Sequence, residues 1–309
     1  MGRYVARRLL QMIPVFIGST LLVFLMMYAL PGDPVKALAG EQHVDPAQIA
    51  SLKAKYGLDQ PIWQQYLNYL FNLFQGDFGQ QIASQRPVAD VIAEAYPVTV
   101  RLALFAFVFT VIAGISLGVI AGLKAESVRD RGLLLLTLLL ISMPSFVLGY
   151  LVQYFFAFKL QLVEPNVSIE ASWDELIMPA AVLASLSLAY VARLTRTSIA
   201  ENLRADYMRT AVAKGLPRRR IVGVHLMRNS MIPVVTFLGT DIGTLMGGAI
   251  VTEGVFNVKG IGLTVFEALG RREGATVVGI VTLIVLVYLA ASLLVDLLYA
   301  VLDPRIRYA

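Results

Sequence analysis

Six apolar runs dominate this chain, at about residues 9–30, 98–122, 133–158, 176–192, 230–251 and 277–302. A helix rises about 1.5 Å per residue, so roughly 20 residues cross the ~30 Å hydrocarbon core of a bilayer. Each run reaches that length, the fourth only just. Pro14, Pro144, Pro179 and Pro233 fall within or near the runs, where membrane helices tolerate them. The pattern predicts an all-α membrane protein with six transmembrane helices. One large soluble core is the alternative, and it fails. The chain is 57% hydrophobic and 15% charged, with mean hydropathy +0.70, too apolar for an ordinary soluble domain of 309 residues.

Composition excludes several chemistries. There is no cysteine, hence no disulfide, thiolate metal site or cysteine nucleophile. The two histidines, His43 and His225, make a poor metal cage: the first reads as a solvated loop residue and the second sits among charges. The net charge of +5 lies in loops beside the apolar runs, where topology explains it without nucleic acid. Arg3, Arg7 and Arg8 precede the first run, which is too long for a signal-peptide core and lacks a small-x-small cleavage site. Ala6 stands where myristoylation wants Ser or Thr. The first run therefore reads as a retained span.

Lys and Arg set the orientation. Segments 1–8, 123–132, 193–229 and 303–309 hold 17 of the 26 Lys and Arg, so these faces and both termini are expected on the cytoplasmic side. The opposite loops include a long one, 31–97. In it, Asp45 and Pro46 look like the cap and first position of a helix that stops at Gly57. A second helix is expected after Pro61, with Ile62, Tyr66, Tyr69, Leu70 and Leu73 on one face, ending at Gly76. A third is expected from Pro87 to Tyr96. This external helical subdomain, lying on the membrane, is either a lid packed on the spans or a docking surface for an outside partner.

Glycine recurs every four residues in two spans: Gly114, Gly118 and Gly122 in the second, Gly239, Gly243 and Gly247 in the fifth. Such a face lets another helix approach closely. It predicts tight packing, or helices that slide against neighbours. Asp241 lies mid-span on the face opposite Gly239 and Gly243, where an ionised acid costs roughly 2.5–3.5 kcal/mol or more in lipid. It is expected either toward a watery path or in a structural hydrogen bond. Asp296, near the end of the last span, is expected to pair with a nearby cation or reach the interface.

Between spans four and five, Arg193 to Arg228 carries nine Lys and Arg and two acids. Within it, Asp206 to Gly215 reads as a short helix, with Asp206 as cap, Gly215 as stop and Pro217 as the break. Positive-inside topology explains the charge but not a capped, Ala-rich helix with its own stop. That helix looks like a handle for a cytosolic partner. Ala211 and Gly215, small and four residues apart, suit close docking, and Arg209 and Lys214 suit acids on the partner.

Arg209-Thr210-Ala211-Val212-Ala213-Lys214-Gly215-Leu216 resembles the coupling motif of bacterial ABC importer permeases, in the variant of peptide and nickel transporters. Pro31-Gly32-Asp33-Pro34, Gln75-Gly76-Asp77-Phe78-Gly79, Arg228-Asn229-Ser230-Met231-Ile232-Pro233-Val234 and Asp303-Pro304-Arg305-Ile306-Arg307-Tyr308 extend the likeness over nearly the whole chain. It is nearest to the dipeptide permease B branch of actinobacteria. Three places depart from the family: Arg209-Thr210-Ala211 replaces Glu-Ala-Ala, Lys259-Gly260-Ile261-Gly262 replaces Pro-Gly-Leu-Gly, and Arg272-Glu273-Gly274-Ala275 replaces Arg-Asp-Tyr-Pro.

The resemblance implies a type I ABC importer permease of MetI-like architecture. Its parts would be 1–30 (N-terminus and first helix), 31–97 (external helices) and 98–309 (a five-helix core with the coupling helix 206–215). The coupling contacts would be Asp206, Tyr207, Arg209, Thr210, Ala211, Ala213, Lys214, Gly215 and Leu216. The implied partners are a second six-helix permease subunit forming a heterodimer, two cytosolic ABC ATPases that bind ATP and Mg, an external peptide-binding protein, and membrane lipid. The chain itself lacks G-x-x-x-x-G-K-[ST], so it is expected to bind no nucleotide and to catalyse nothing. A secondary transporter would need ion-coupling groups and an inverted repeat, and a membrane enzyme would need clustered catalytic groups. Neither pattern is visible. Peptides are the expected cargo, with nickel, glutathione or haem carried by relatives, in a bacterial inner membrane.

Overall fold

A computed structural model of the chain describes residues 2–29, 46–55 and 57–302. Among the described residues the structure is helical, and a lone antiparallel bridge joins Gln80 and Pro87. The helices are α1 (Gly2–Ala29), α2 (Pro46–Lys55), α3 (Ile62–Phe74), α4 (Val88–Gly122, with a π-helical turn at Thr110–Gly114), α5 (Val128–Ser142), α6 (Ser145–Lys159), α7 (Ile177–Asn202), α8 (Asp206–Ala213), α9 (Met227–Phe256), α10 (Ile261–Gly270) and α11 (Gly274–Leu302). The residues Arg218–Arg220 and a π-helical turn, Ile221–Leu226, lead into α9.

Among the described residues five stretches are long and apolar enough to cross a membrane: Val5–Met27, Val88–Gly122, Ile177–Asn202, Arg218–Gly247 and Gly274–Leu297. The third expected span, 133–158, is not one rod. It is α5 and α6, bent by 106°. Pro144 explains the break: its ring disfavours a helical residue before it, and Met143 is extended, at φ −96° and ψ 131°. The expected third outer helix, Pro87 to Tyr96, is instead the first part of α4, which runs through Pro97 without stopping. The fourth span continues to Asn202, so Arg193 and Arg196 belong to a helix and not to a loop. The loop expected after span five contains a further apolar helix, α10. Asn257 precedes it in the left-handed conformation, at φ 53°. Asp45, His43, Pro31–Pro34 and the C-terminal motif lie outside the described residues.

The chain divides into two compact units, 1–99 with 259–309, and 100–258. In the first, α1 and α11 run antiparallel, with Arg8 paired to Asp296 near one end and Met27 beside Gly274 at the other. A core of Val88, Ile92, Ala95, Ile261, Val265, Val277 and Ile280 ties the start of α4 to α10 and α11. The Gln75–Gly79 motif has a backbone explanation. Gly76 and Gly79 have φ of +81° and +90°, which side chains other than glycine rarely tolerate. The turned chain then lets the Gly79 N–H donate to Asp77 Oδ1 at 2.8 Å. Glu273, buried at the start of α11, accepts from the backbone N–H groups of Ile82 and Ala83, each at 3.0 Å. An acid there fastens the loop ahead of α4 to the start of α11.

In the second unit α7 is the most buried span, with 67% of its central window covered. Helices α4, α5, α6 and α9 pack around it. Asp130 of α5 receives two bonds from Arg196 of α7, at 2.8 and 2.6 Å. Gln153 of α6 donates to the Pro165 and Val255 carbonyls.

Candidate coupling surface

The short helix α8 forms because Ala205, extended at ψ 149°, hands the chain into Asp206–Ala213. Asp206 is not the cap. It occupies the first helical position, where its charge suits the helix dipole, and no side chain caps the end. The other end closes as expected. Gly215 takes φ +68°, its N–H donates to the Val212 carbonyl at 2.9 Å, and the Leu216 N–H donates to the Ala211 carbonyl at 3.4 Å. These two bonds make a Schellman closure, with Leu216 folded back on the helix.

One face of α8 is fastened to its own subunit. Met208 and Ala211 are buried with Ile199 of α7 and with Ile221 and Leu226 ahead of α9. Tyr207 donates to Asn202 Oδ1 at 2.6 Å. Ala211, expected among the docking contacts, is 5% exposed. Its methyl faces inward, and its small size lets α8 lie close to α7. The residues left outward are Asp206, Arg209, Thr210, Val212, Ala213, Lys214 and Gly215. Val212, 63% exposed, is a further candidate contact: it lies one helical turn beyond Met208, at the open edge of the fastened side, and its signal in the sequence is an apolar residue between the two alanines Ala211 and Ala213. Arg209 and Asp206 lie 3.7 Å apart with both side chains exposed, a pairing of little energetic weight. Beside the helix opens a shallow cleft of about 660 Å³, floored by Leu123, Leu203, Ile221 and Val222. The outer face of α8 is thus a ridge of polar and small residues around one exposed valine. The cluster under it joins α8 to the adjoining ends of α7 and α9.

The glycine faces differ. A methyl on Gly114, Gly118 or Gly122 would lie within 2.9, 2.5 and 2.9 Å of atoms of α7, so this face is a close helix contact. A methyl on Gly247 would meet nothing within 4 Å among the described residues, while Gly239 is half-buried and Gly243 buried. The two repeats therefore do not share one role within the chain. Asp241 is 4% exposed and lies against α7, where Ser187 Oγ donates to its Oδ1 at 2.7 Å. Its Oδ2 has no hydrogen-bond partner among the described residues.

The apolar helices and this surface define an integral membrane protein with a short helix fastened between two of its spans. Residues 114–308 match the family described as binding-protein-dependent transport system inner membrane component, and residues 1–103 match the N-terminal family of such membrane components. The chain belongs to this family of inner-membrane transport components. It is 38% identical to the dipeptide transport system permease protein DppB of Escherichia coli K12, over 100% of this chain and 99% of that one. It is 37% identical to the di/tripeptide transport system permease protein DppB of Pseudomonas aeruginosa, over 99% and 98%. Identity to the glutathione transport system permease protein GsiC of Escherichia coli K12 is 39%, over the full length of both.

Proposed function

We propose that the chain forms half of the translocation path of an ATP-driven importer of di- or oligopeptides and takes its power stroke through α8. Full-length similarity to permeases named for dipeptides, di/tripeptides and glutathione, the last itself a small peptide, supports the cargo class. The observation that carries the mechanism is the fusion of α8 to α7 and α9 through Met208, Ala211, Ile199, Ile221 and Leu226, with its opposite face left free. In this reading Arg209, Thr210, Val212, Ala213 and Lys214 seat in a groove of a cytosolic ATPase subunit. ATP and Mg bind there and not on this chain. A second six-helix permease completes a heterodimer, a second ATPase serves it, and a peptide-binding protein delivers cargo on the outer side. Both termini are cytoplasmic, because the basic segment holding α8 must face the ATPase.

Closure of the ATPase pair then displaces α8 as a rigid body. The movement enters α9 through the π-helical turn at Ile221–Leu226, a form of helix frequent at functional sites. The test uses the assembled transporter in proteoliposomes. Val212→Asp and Ala213→Trp change only outward side chains. Both are expected to leave membrane insertion intact while abolishing binding-protein-dependent peptide uptake. Normal uptake by both variants overturns the coupling assignment.

A further inference from the structure

The outward helix α3 has three sectors. Around its axis, Tyr69, Leu73, Tyr66 and Leu70 make one side, and this side is the one packed on protein. Tyr66 is buried with Phe24 and Val278; its hydroxyl donates to the Ile17 carbonyl at 3.1 Å and lies 3.0 Å from Thr20 Oγ1. Tyr69 donates to Thr282 Oγ1 at 2.7 Å. The next sector is apolar yet open: Trp63, Leu67, Phe71 and Phe74 are 65, 55, 66 and 83% exposed. The remaining sector is Gln64, Gln65, Asn68, Asn72 and Gln75. The helix carries no charged residue.

Depth decides what covers the open apolar sector. Thr20 lies seven residues inside the Met27 end of the Val5–Met27 span, or about 10 Å below it. Val278 and Thr282 lie four and eight residues inside the Gly274 end of the last span, or about 6 and 12 Å. Helix α3 is thus anchored below the ends of two spans, level with the outer part of the hydrocarbon. Its open sector continues the apolar exterior of α1, where Leu22, Leu25 and Met26 are also exposed. An uncharged polar face beside a Trp- and Phe-rich one is the composition that settles at a headgroup boundary.

We propose that α3 is an interfacial helix, with Trp63, Leu67, Phe71 and Phe74 inserted among the acyl chains of one leaflet and its Gln/Asn sector turned to water. It joins α1 to α11 and fixes the depth at which that pair sits. That the leaflet is the outer one rests on the orientation proposed above; the insertion itself does not. The chain has no cysteine, so single cysteines at Leu67, Phe71, Asn68 and Asn72 can carry nitroxide labels in the assembled transporter in lipid nanodiscs. Power saturation against oxygen and a water-soluble nickel chelate reads the surroundings. Labels at Leu67→Cys and Phe71→Cys are expected to favour oxygen, with the ratio inverted at Asn68→Cys and Asn72→Cys. Nickel dominance at all four positions overturns the proposal, because the face is then in water. Immobilised labels at 67 and 71 that neither reagent reaches also overturn it, because a protein partner then covers the face. Modification of Asn72→Cys by an impermeant maleimide only from the cytoplasmic side would overturn the orientation and leave the insertion standing.

Discussion

The contact between α4 and α7 makes a sharp quantitative prediction. Replacing Gly118 with alanine places a methyl 2.5 Å from Thr195 Cβ and 2.6 Å from the Ala192 carbonyl oxygen. Ordinary contact begins at 3.4 Å, so the helices must separate by roughly 0.9 Å. A radial gap of that size removes about a quarter to a half of each dispersion contact. In lipid such packing holds helices together, and the gap is shared along Gly114, Gly118 and Gly122. The expected destabilisation is that of an overpacked core, about 1–3 kcal/mol. Trimming Thr195 to alanine should not rescue the variant, because Ala192 obstructs with backbone. Gly247→Ala is the control: nothing lies within 4 Å of the added methyl, and alanine is the better helix former by up to about 1 kcal/mol. Equilibrium unfolding of the purified subunit in mixed micelles, followed by circular dichroism against SDS mole fraction, measures both. A Gly118→Ala value within about 0.5 kcal/mol of the parent, the range of unremarkable substitutions, refutes the close-contact reading. So does equal damage from Gly247→Ala.

Two further predictions concern buried acids. Arg196→Ala leaves Asp130, 1% exposed, without its bidentate partner, and the same unfolding assay should show a loss of about 3–5 kcal/mol; Asp130→Asn combined with Arg196→Gln should recover much of it, and no recovery would sink the ion-pair account. Glu273→Ala removes the acceptor for the Ile82 and Ala83 N–H groups. Amide exchange at 80–87 should then accelerate, by an amount corresponding to about 1.5–3 kcal/mol for each charge-assisted bond lost, with no change in α5 or α7.

Long-range apolar periodicity made the spans legible, and local turn chemistry made the stops legible. Gly57, Gly76 and Gly215 all take positive φ, where the sequence placed helix ends. Legibility failed where the outcome depends on what lies across a contact. Pro97 and Pro144 look alike in sequence, yet α4 runs through the first and the chain turns sharply at the second. Composition cannot say that Gly118 meets Thr195 while Gly247 meets open space, or that Asp241 meets Ser187. Ala211 invited a docking role because it is small, but burial beside Ile199 assigns it to the inner face. The Asp130–Arg196 pair, 66 residues apart, left no local signal.

The departure at position 209 illustrates the same division between fold and contact. Arg209 is 78% exposed at its side chain and takes no part in the cluster that fastens α8, so either sign of charge is compatible with this fold. What an arginine constrains is the partner. If α8 seats in the ATPase groove, that groove must offer an acid, or at least no base, where permeases with the usual glutamate need the reverse. Arg209→Glu should therefore leave the unfolding midpoint of the subunit unchanged. Exposed pairs contribute about 0.2–1 kcal/mol, and reversal adds repulsion of similar size. Affinity for the ATPase subunits should fall by about two- to thirtyfold, as tenfold corresponds to 1.4 kcal/mol. The parent complex should weaken with added salt, as exposed charge pairs do, and the variant should lose that dependence. Unchanged affinity and unchanged salt dependence would show that residue 209 points away from the ATPase, and would move the docking contacts onto Thr210, Val212, Ala213 and Lys214.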